Sequence, residues 1–216
     1  MATTESSNPA RSTPIQRRAH ERVDALLDAA AAIIDEGGLV ALTTSGVAER
    51  SGSSVGVVYR YFPNADALLV ALAERNRTRY MERVATALAD SQLPGWQDFA
   101  SRCIDEYGRL AAEEPAFRVI RFGDVIGMRY ANRESSNNDE LGRELDAILV
   151  ERYGFPDTDD LVFATQLAME CADAVTRRAF LHGAEPDERF IRAAKRMIVA
   201  ILTPHAPETY GRHYAL

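Results

Sequence analysis

Five residues of this chain carry the spacing of a catalytic nucleophile. Gly52-Ser53-Ser54-Val55-Gly56 matches G-x-S-x-G, the turn that presents an activated serine between a strand and a helix. Ser54 would then be the nucleophile of a serine hydrolase. The flanking sequence argues against that chemistry: Ala48-Glu49-Arg50-Ser51 has no alternating pattern, and no run elsewhere alternates strictly enough to supply a sheet. The other reactive side chains are dispersed. Cys103 and Cys171 stand alone without C-x-x-C spacing, and His20, His182, His205 and His213 include no i, i+4 pair. Neither a disulfide framework nor a metal centre is expected, and no catalytic residue or cofactor is assigned.

A second chemistry overlaps the same stretch. Thr43–Phe62, TTSGVAERSGSSVGVVYRYF, has the organisation of a helix-turn-helix. Thr43 and Thr44 open a short helix to about Ser51, Gly52 supplies the positive φ of a tight turn, and Ser54 caps a second helix. Val47, Ala48 and Val58 are small or branched where the two helices must cross. The outward face of the second helix carries Ser54, Val55, Val57, Tyr59 and Arg60, side chains suited to base edges and phosphates in a DNA groove.

With those residues in view, the run Thr43–Leu69 resembles the DNA-binding module of TetR-type transcriptional repressors. The carriers are Tyr59-Arg60-Tyr61-Phe62, then Pro63-Asn64, then Leu68-Leu69, together with the preceding helix Leu26–Gly38 (LLDAAAAIIDEGG). The specific likeness covers about the first third of the chain. It departs from the family pattern at Ser45, where a basic residue is usual, at Ser53, where an apolar one is usual, and at Ala65, where lysine is usual. The resemblance implies double-stranded DNA, a palindromic operator, as a partner, with Thr43, Thr44, Ser54, Val55, Gly56, Val57, Tyr59, Arg60, Tyr61 and Asn64 as candidate contacts. It also implies a homodimer formed by the last two long helices as a four-helix bundle.

The elements that must position these residues are helical throughout. Val23, Leu26, Leu27, Ala30, Ile33 and Ile34 form one apolar face of a first helix over 15–36, closed by Gly37-Gly38. Asn64 caps a fourth helix reaching about Ser91, with a stripe of Leu68, Leu69, Leu72, Tyr80, Val84 and Leu88. That length carries it out of a three-helix module and into whatever follows. Further helices are expected over 96–113, from Pro115 through Ile126, over 140–153, 158–182 and 186–203, with Asn132–Asp139 as a polar loop. The class is therefore all-α: a leader, 1–14, with a disordered composition; a three-helix DNA-binding module, 15–63; and a helical effector-binding and dimerisation domain, 64–216, entered by the long helix.

The helix over 158–182 has two apolar lines: Leu161, Ala164, Ala168, Cys171 and Val175 on one side, and Phe163, Leu167, Ala174 and Leu181 on another. A helix apolar on two sides is a core helix or a subunit contact. Aromatic residues of the middle region suggest a cavity for a small apolar or amphipathic effector, with Phe99, Cys103, Tyr107, Phe122, Ile126, Phe163, Gln166 and Glu170 as its candidate lining.

Composition bounds the rest. The 216 residues are 46% hydrophobic, enough for a packed core. The longest apolar run, Ala67–Ala73, is seven residues, far below the ~20 of a membrane span. No signal segment is visible, so a cytoplasmic protein with reduced thiols is expected. The net charge of −7 divides unevenly: residues 1–80 hold nine arginines and nine acids, and the remainder 16 basic and 23 acidic groups. A module neutral overall still binds DNA if its cations share one face.

Overall fold

Nine α-helices lie among the residues that the computed structural model describes, 14–89, 93–120 and 137–208, and no strand does. They are α1 (Pro14–Gly37), α2 (Thr44–Ser51), α3 (Val55–Tyr61), α4 (Ala65–Ala89), α5 (Trp96–Glu113), α6 (Pro115–Val119), α7 (Asn137–Tyr153), α8 (Asp159–Ala179) and α9 (Glu188–Leu202). The all-α class expected from periodicity is the observed one. The chain divides into two compact units, Met1–Leu68 and Leu69–Leu216.

The first unit buries the inner stripe of α1, namely Leu26, Leu27, Ala30 and Ile34, with Leu42, Val47, Ala48, Val58 and Phe62. Its α1 ends where Gly38 takes φ 71°, a conformation that disfavours a Cβ. A 3₁₀ turn, Leu39–Ala41, which the sequence did not suggest, then leads to α2.

In the second unit, aromatic rings set the packing. Trp96 meets Phe155 edge-on at 5.4 Å, Tyr107 meets Phe117 at 5.2 Å, and Phe99 stacks on Tyr153 at 5.5 Å. The closing helices are capped and charged as their dipoles favour. Thr158 accepts from the Leu161 N–H (3.2 Å), Asp159 and Asp160 sit in the first turn of α8, and Arg177 and Arg178 in its last. Asp187 caps α9 by accepting from the Arg189 N–H and side chain, and these bonds draw its pKa down to about 2.

Several boundaries differ from expectation. Helix α8 stops at Ala179 rather than His182, because Phe180 leaves the helix and Gly183 turns the chain at φ 136°. Helix α7 begins at Asn137, inside the stretch read as a loop. Helix α6 ends at Val119, with Ile120 at φ −107°, ψ 76°, so the helix expected through Ile126 is not continuous from Pro115. Phe122 and Ile126 lie outside the described residues.

Candidate nucleic-acid interface and effector cavity

The turn between α2 and α3 is built by local bonds. Thr43 accepts from the Gly46 N–H at 3.0 Å and starts α2; Gly52, at φ 64° and ψ 23°, ends it. The Ser53 N–H returns to Ala48 O at 2.9 Å, and Ser54 then starts α3 by accepting from the Val57 N–H at 3.3 Å. Val58, fully buried, seats α3 in the unit. That leaves Val55, Tyr59 and Arg60 facing outward, Val55 being 42% and Tyr59 52% exposed. Arg50 makes two bonds to the Glu36 carboxylate, at 2.6 and 2.5 Å, and holds its pKa below the usual range. Arg50 thus fastens the end of α2 to the end of α1, while Arg60 presents its charge on the exposed face of α3.

This geometry corrects two readings. Ser54 is a helix cap preceded by a helix, not a serine on a strand-helix elbow, so the hydrolase alternative fails on its structural requirement. Thr44 does not stand on the open face: it is buried, and its hydroxyl donates to the Tyr59 oxygen at 3.3 Å. It braces a residue of that face. Asn64 accepts from the Ala67 N–H at 2.8 Å and caps α4.

In the second unit a cavity of about 50 Å³ lies among α4, α5, α7, α8 and α9, with Phe99, Cys103, Tyr107, Leu145, Ala168 and Ile198 in its wall. The polar side chains around it are hydrogen-bonded to carboxylates or to backbone carbonyls. Tyr80 donates to Cys103 O (3.2 Å), Thr165 to Asp146 (3.3 Å), Thr176 to Ala172 O (2.6 Å), and Arg177 to Asp173 (3.0 Å). The inner surface is consequently apolar. Burial pushes the Cys103 thiol up to about 12, so it is a neutral wall group at physiological pH rather than a nucleophile. Burial likewise raises the Asp146 carboxyl above its ordinary value. The volume falls well below the roughly 300–1,000 Å³ of pockets that enclose drug-sized ligands. A separate, more exposed concavity of about 350 Å³ also has Tyr107 and Thr176 in its wall, together with Arg118 and Arg177.

Comparison with known proteins agrees with both halves. Residues 26–72 match the family described as bacterial regulatory proteins, tetR family, and residues 94–206 match the tetracyclin repressor-like C-terminal domain. The chain belongs to the TetR family. A TetR-family transcriptional regulator from Streptomyces coelicolor is 32% identical, with a TM-score of 0.73 over 85% of this chain and 99% of that one. The HTH-type transcriptional repressor KstR of Mycolicibacterium smegmatis is 44% identical over 59 residues, 27% of this chain and 29% of that repressor. The match thus spans less than a third of that relative's length. The regulator FadR of Bacillus subtilis, solved in complex with stearoyl-CoA, shares the fold at a TM-score of 0.57 with 13% identity, over 83% of this chain and 97% of that one.

Of the residues expected to line an effector cavity in this TetR-family chain, Phe99, Cys103 and Tyr107 do so. Phe163 and Glu170 do not. Phe163 is 65% exposed, and Glu170 is also exposed. Gln166 is half-buried against Gly142 and is absent from the wall. The helical period explains this: α8 turns Leu161, Ala164, Thr165, Ala168 and Ala172 inward, which sends Phe163, Leu167 and Glu170 to the other side. The wall residues that the sequence reading missed include Tyr80, Leu145, Met169 and Ile198. The row of small residues Ala164, Thr165, Ala168 and Ala172 was the usable signal, since small side chains on one inward face leave space beside a helix.

Proposed function

We propose that the chain is a cytoplasmic, homodimeric repressor that reads a pseudo-palindromic operator through α2 and α3 and releases it on binding a small apolar or amphipathic effector. The observation that carries this reading is the exposed face of α3, Val55, Tyr59 and Arg60, on a capped and pinned helix-turn-helix. The repressor sense draws on the likeness to KstR over the helix-turn-helix segment. Residues 15–63 are assigned to DNA and 64–216 to effector and subunit contacts. Among the described residues no helix is long and apolar enough to cross a membrane.

Dimerisation is supported by the outer line of α8, where Phe163 and Leu167, one turn apart, are 65% and 41% exposed, with Leu181 beyond the helix 58% exposed. The effector reading rests on the apolar cavity, which must widen to admit a ligand. An apolar body would sit against Phe99 and Cys103, and the polar end of an amphipathic effector would reach the neighbouring concavity that holds Arg118 and Arg177. Because α4 runs from Ala65 to Ala89, it belongs to the cavity wall at Tyr80 and leads back to the helix-turn-helix. An effector that shifts α4 alters the spacing of the two α3 helices in the dimer, and DNA must weaken effector binding by the same factor.

Selection of bound fragments from random DNA, followed by footprinting, tests the reading. Half-sites related by a two-fold axis, with centres about 10–10.5 bp apart or a multiple of it, are expected. One asymmetric half-site per bound chain, or retention that is insensitive to salt, would remove it.

A further inference from the structure

Four half-buried arginines of the second unit each face a carboxylate. Arg77 meets Glu144, Arg79 meets Glu114 at 2.8 Å, Arg83 meets Glu113 at 2.5 Å, and Arg102 meets Glu106 at 3.5 Å. Arg118 is half-buried as well, yet no carboxylate of the described residues forms an ion pair with it. Its bonds run from Nη1 alone, to Ala111 O at 2.5 Å and Ala112 O at 3.4 Å in the last turn of α5. A guanidinium carries five N–H donors in one rigid plane. Anchoring Nη1 on two helix carbonyls holds that plane and leaves the edge formed by Nε and Nη2 without a bond to the described residues. Such an edge matches the two oxygens of a carboxylate.

The surroundings of Arg118 specify what that edge could hold. Arg118 stands in the wall of the exposed concavity of about 350 Å³, a volume within the range of sites that enclose small organic ligands. Tyr107, Val119 and Phe180 give the same wall apolar surface. Its other cation, Arg177, already has the Asp173 carboxylate at 3.0 Å. The charge left for a ligand is therefore that of Arg118 alone, which suits a singly charged anion with an apolar body. A doubly charged phosphate would be only half neutralised there.

We infer that this concavity binds an amphipathic carboxylate, clamped by the Nε–Nη2 edge of Arg118, with Tyr107, Val119 and Phe180 against its apolar body. This rests on the effector reading above and names the charge of the effector's polar end. Calorimetry on the full-length protein at neutral pH compares octanoate, decanoate and phenylbutyrate, each with its uncharged primary amide. At least one carboxylate binds roughly ten- to a hundredfold more tightly than its amide, the worth of hydrogen bonds to a charged group. Arg118→Gln keeps a donor for the α5 carbonyls without the charge, and binds the two forms alike. A residue that served only to cap α5 would change melting and leave this discrimination intact. Arg118→Lys keeps the charge without the fork, so its preference falls about threefold or more; it decides the matter if Arg118→Gln does not fold. Arg178→Gln, at an exposed arginine outside the concavity, serves as control and keeps the full preference. Amides that bind as tightly as the carboxylates, a panel that does not bind, or a preference that survives Arg118→Gln overturns the inference. Operator titration of the wild-type protein judges the effector reading apart from it. Carboxylates that bind with the Arg118-dependent preference but leave operator affinity unchanged sink that reading and keep the clamp. Amides that bind equally well and release the operator sink the clamp alone.

Discussion

Asn76 is the most exacting place to test the packing of α4. Its side chain is buried, 3% exposed, and its amide donates to Ile120 O at 2.9 Å across 44 residues of sequence. That carbonyl belongs to a residue only 1% exposed, just past the end of α6. Asn76→Ala removes the donor and leaves a buried oxygen without it, which costs about 1–3 kcal/mol. For a unit of this size each kcal/mol moves Tm by about 2–4 °C, so the expected fall is roughly 2–12 °C. Asn76→Asp is worse at neutral pH, because a buried carboxylate faces a carbonyl oxygen. It recovers on acidification, as the protonated acid regains a donor.

The assay is built into the chain. Trp96 is the sole tryptophan, 1% exposed and edge-on to Phe155 within the second unit, so its fluorescence follows that unit. Urea titrations read by Trp96 give the stability difference. An Asn76→Ala protein within about 0.5 kcal/mol of wild type, the range of a surface change, would refute the argument.

Four other outcomes follow from the structure. Arg60→Ala should cost about 1–3 kcal/mol in operator affinity and relax preference at one position if it reads a base; if it grips phosphate, it weakens all sequences alike and lowers the salt slope by about one. Unchanged binding across salt contradicts both. Phe163→Glu combined with Leu167→Glu should raise the dimer dissociation constant by tenfold or more, as loss of apolar anchors of about 2 kcal/mol implies; sedimentation of an intact dimer at low concentration would refute the interface. Asp146, whose carboxyl is held above its ordinary value by burial, binds its proton more tightly when folded, so its contribution falls as pH rises from the ordinary aspartate range through the raised value. Asp146→Asn should therefore melt higher than wild type at pH 7 and the same at low pH, and an equal or lower Tm at pH 7 would reverse the assignment. Cys103→Phe should abolish effector release while leaving operator binding, and should destabilise by about 1–3 kcal/mol if the cavity cannot yield; a variant that still responds to effector removes the cavity from the mechanism.

The helix-turn-helix was legible in the sequence because its signals are local. Caps at Thr43, Ser54 and Asn64 act within three residues, and Gly52 acts on its own backbone. The buried place of Thr44 was not legible, since its partner Tyr59 lies on another helix. The cavity was only half legible for the same reason. Periodicity separates the two faces of α8, yet it does not say which face meets α5 and which meets solvent. The aromatic character of Phe163 suggested a pocket, when its exposure fits a subunit contact. The donor from Asn76 to Ile120 had no sequence signal at all: an asparagine in an apolar stripe declares a buried polar group only after its partner is known.

These polar ties also set the scale of any effector response. Arg77 contacts Glu74, Glu140 and Glu144; Arg79 contacts Glu114 at 2.8 Å; Arg83 contacts Glu113 at 2.5 Å. Together with Asn76 they join α4 to α5, α7 and the end of α6, and α4, α5 and α7 are helices of the cavity wall. Partly exposed ion pairs contribute about 0–1 kcal/mol each, whereas the Asn76 bond is worth about 1–3 when its loss strands a buried carbonyl. An effector-induced coupling of about 1–3 kcal/mol is therefore as large as the loss of this single buried bond, or of two or three ion pairs. The proposed release of DNA therefore requires no unfolding of the second unit. The mechanism proposed above asks only that the cavity of about 50 Å³ widen and α4 shift past these few contacts, among which the buried amide of Asn76 has the largest expected cost.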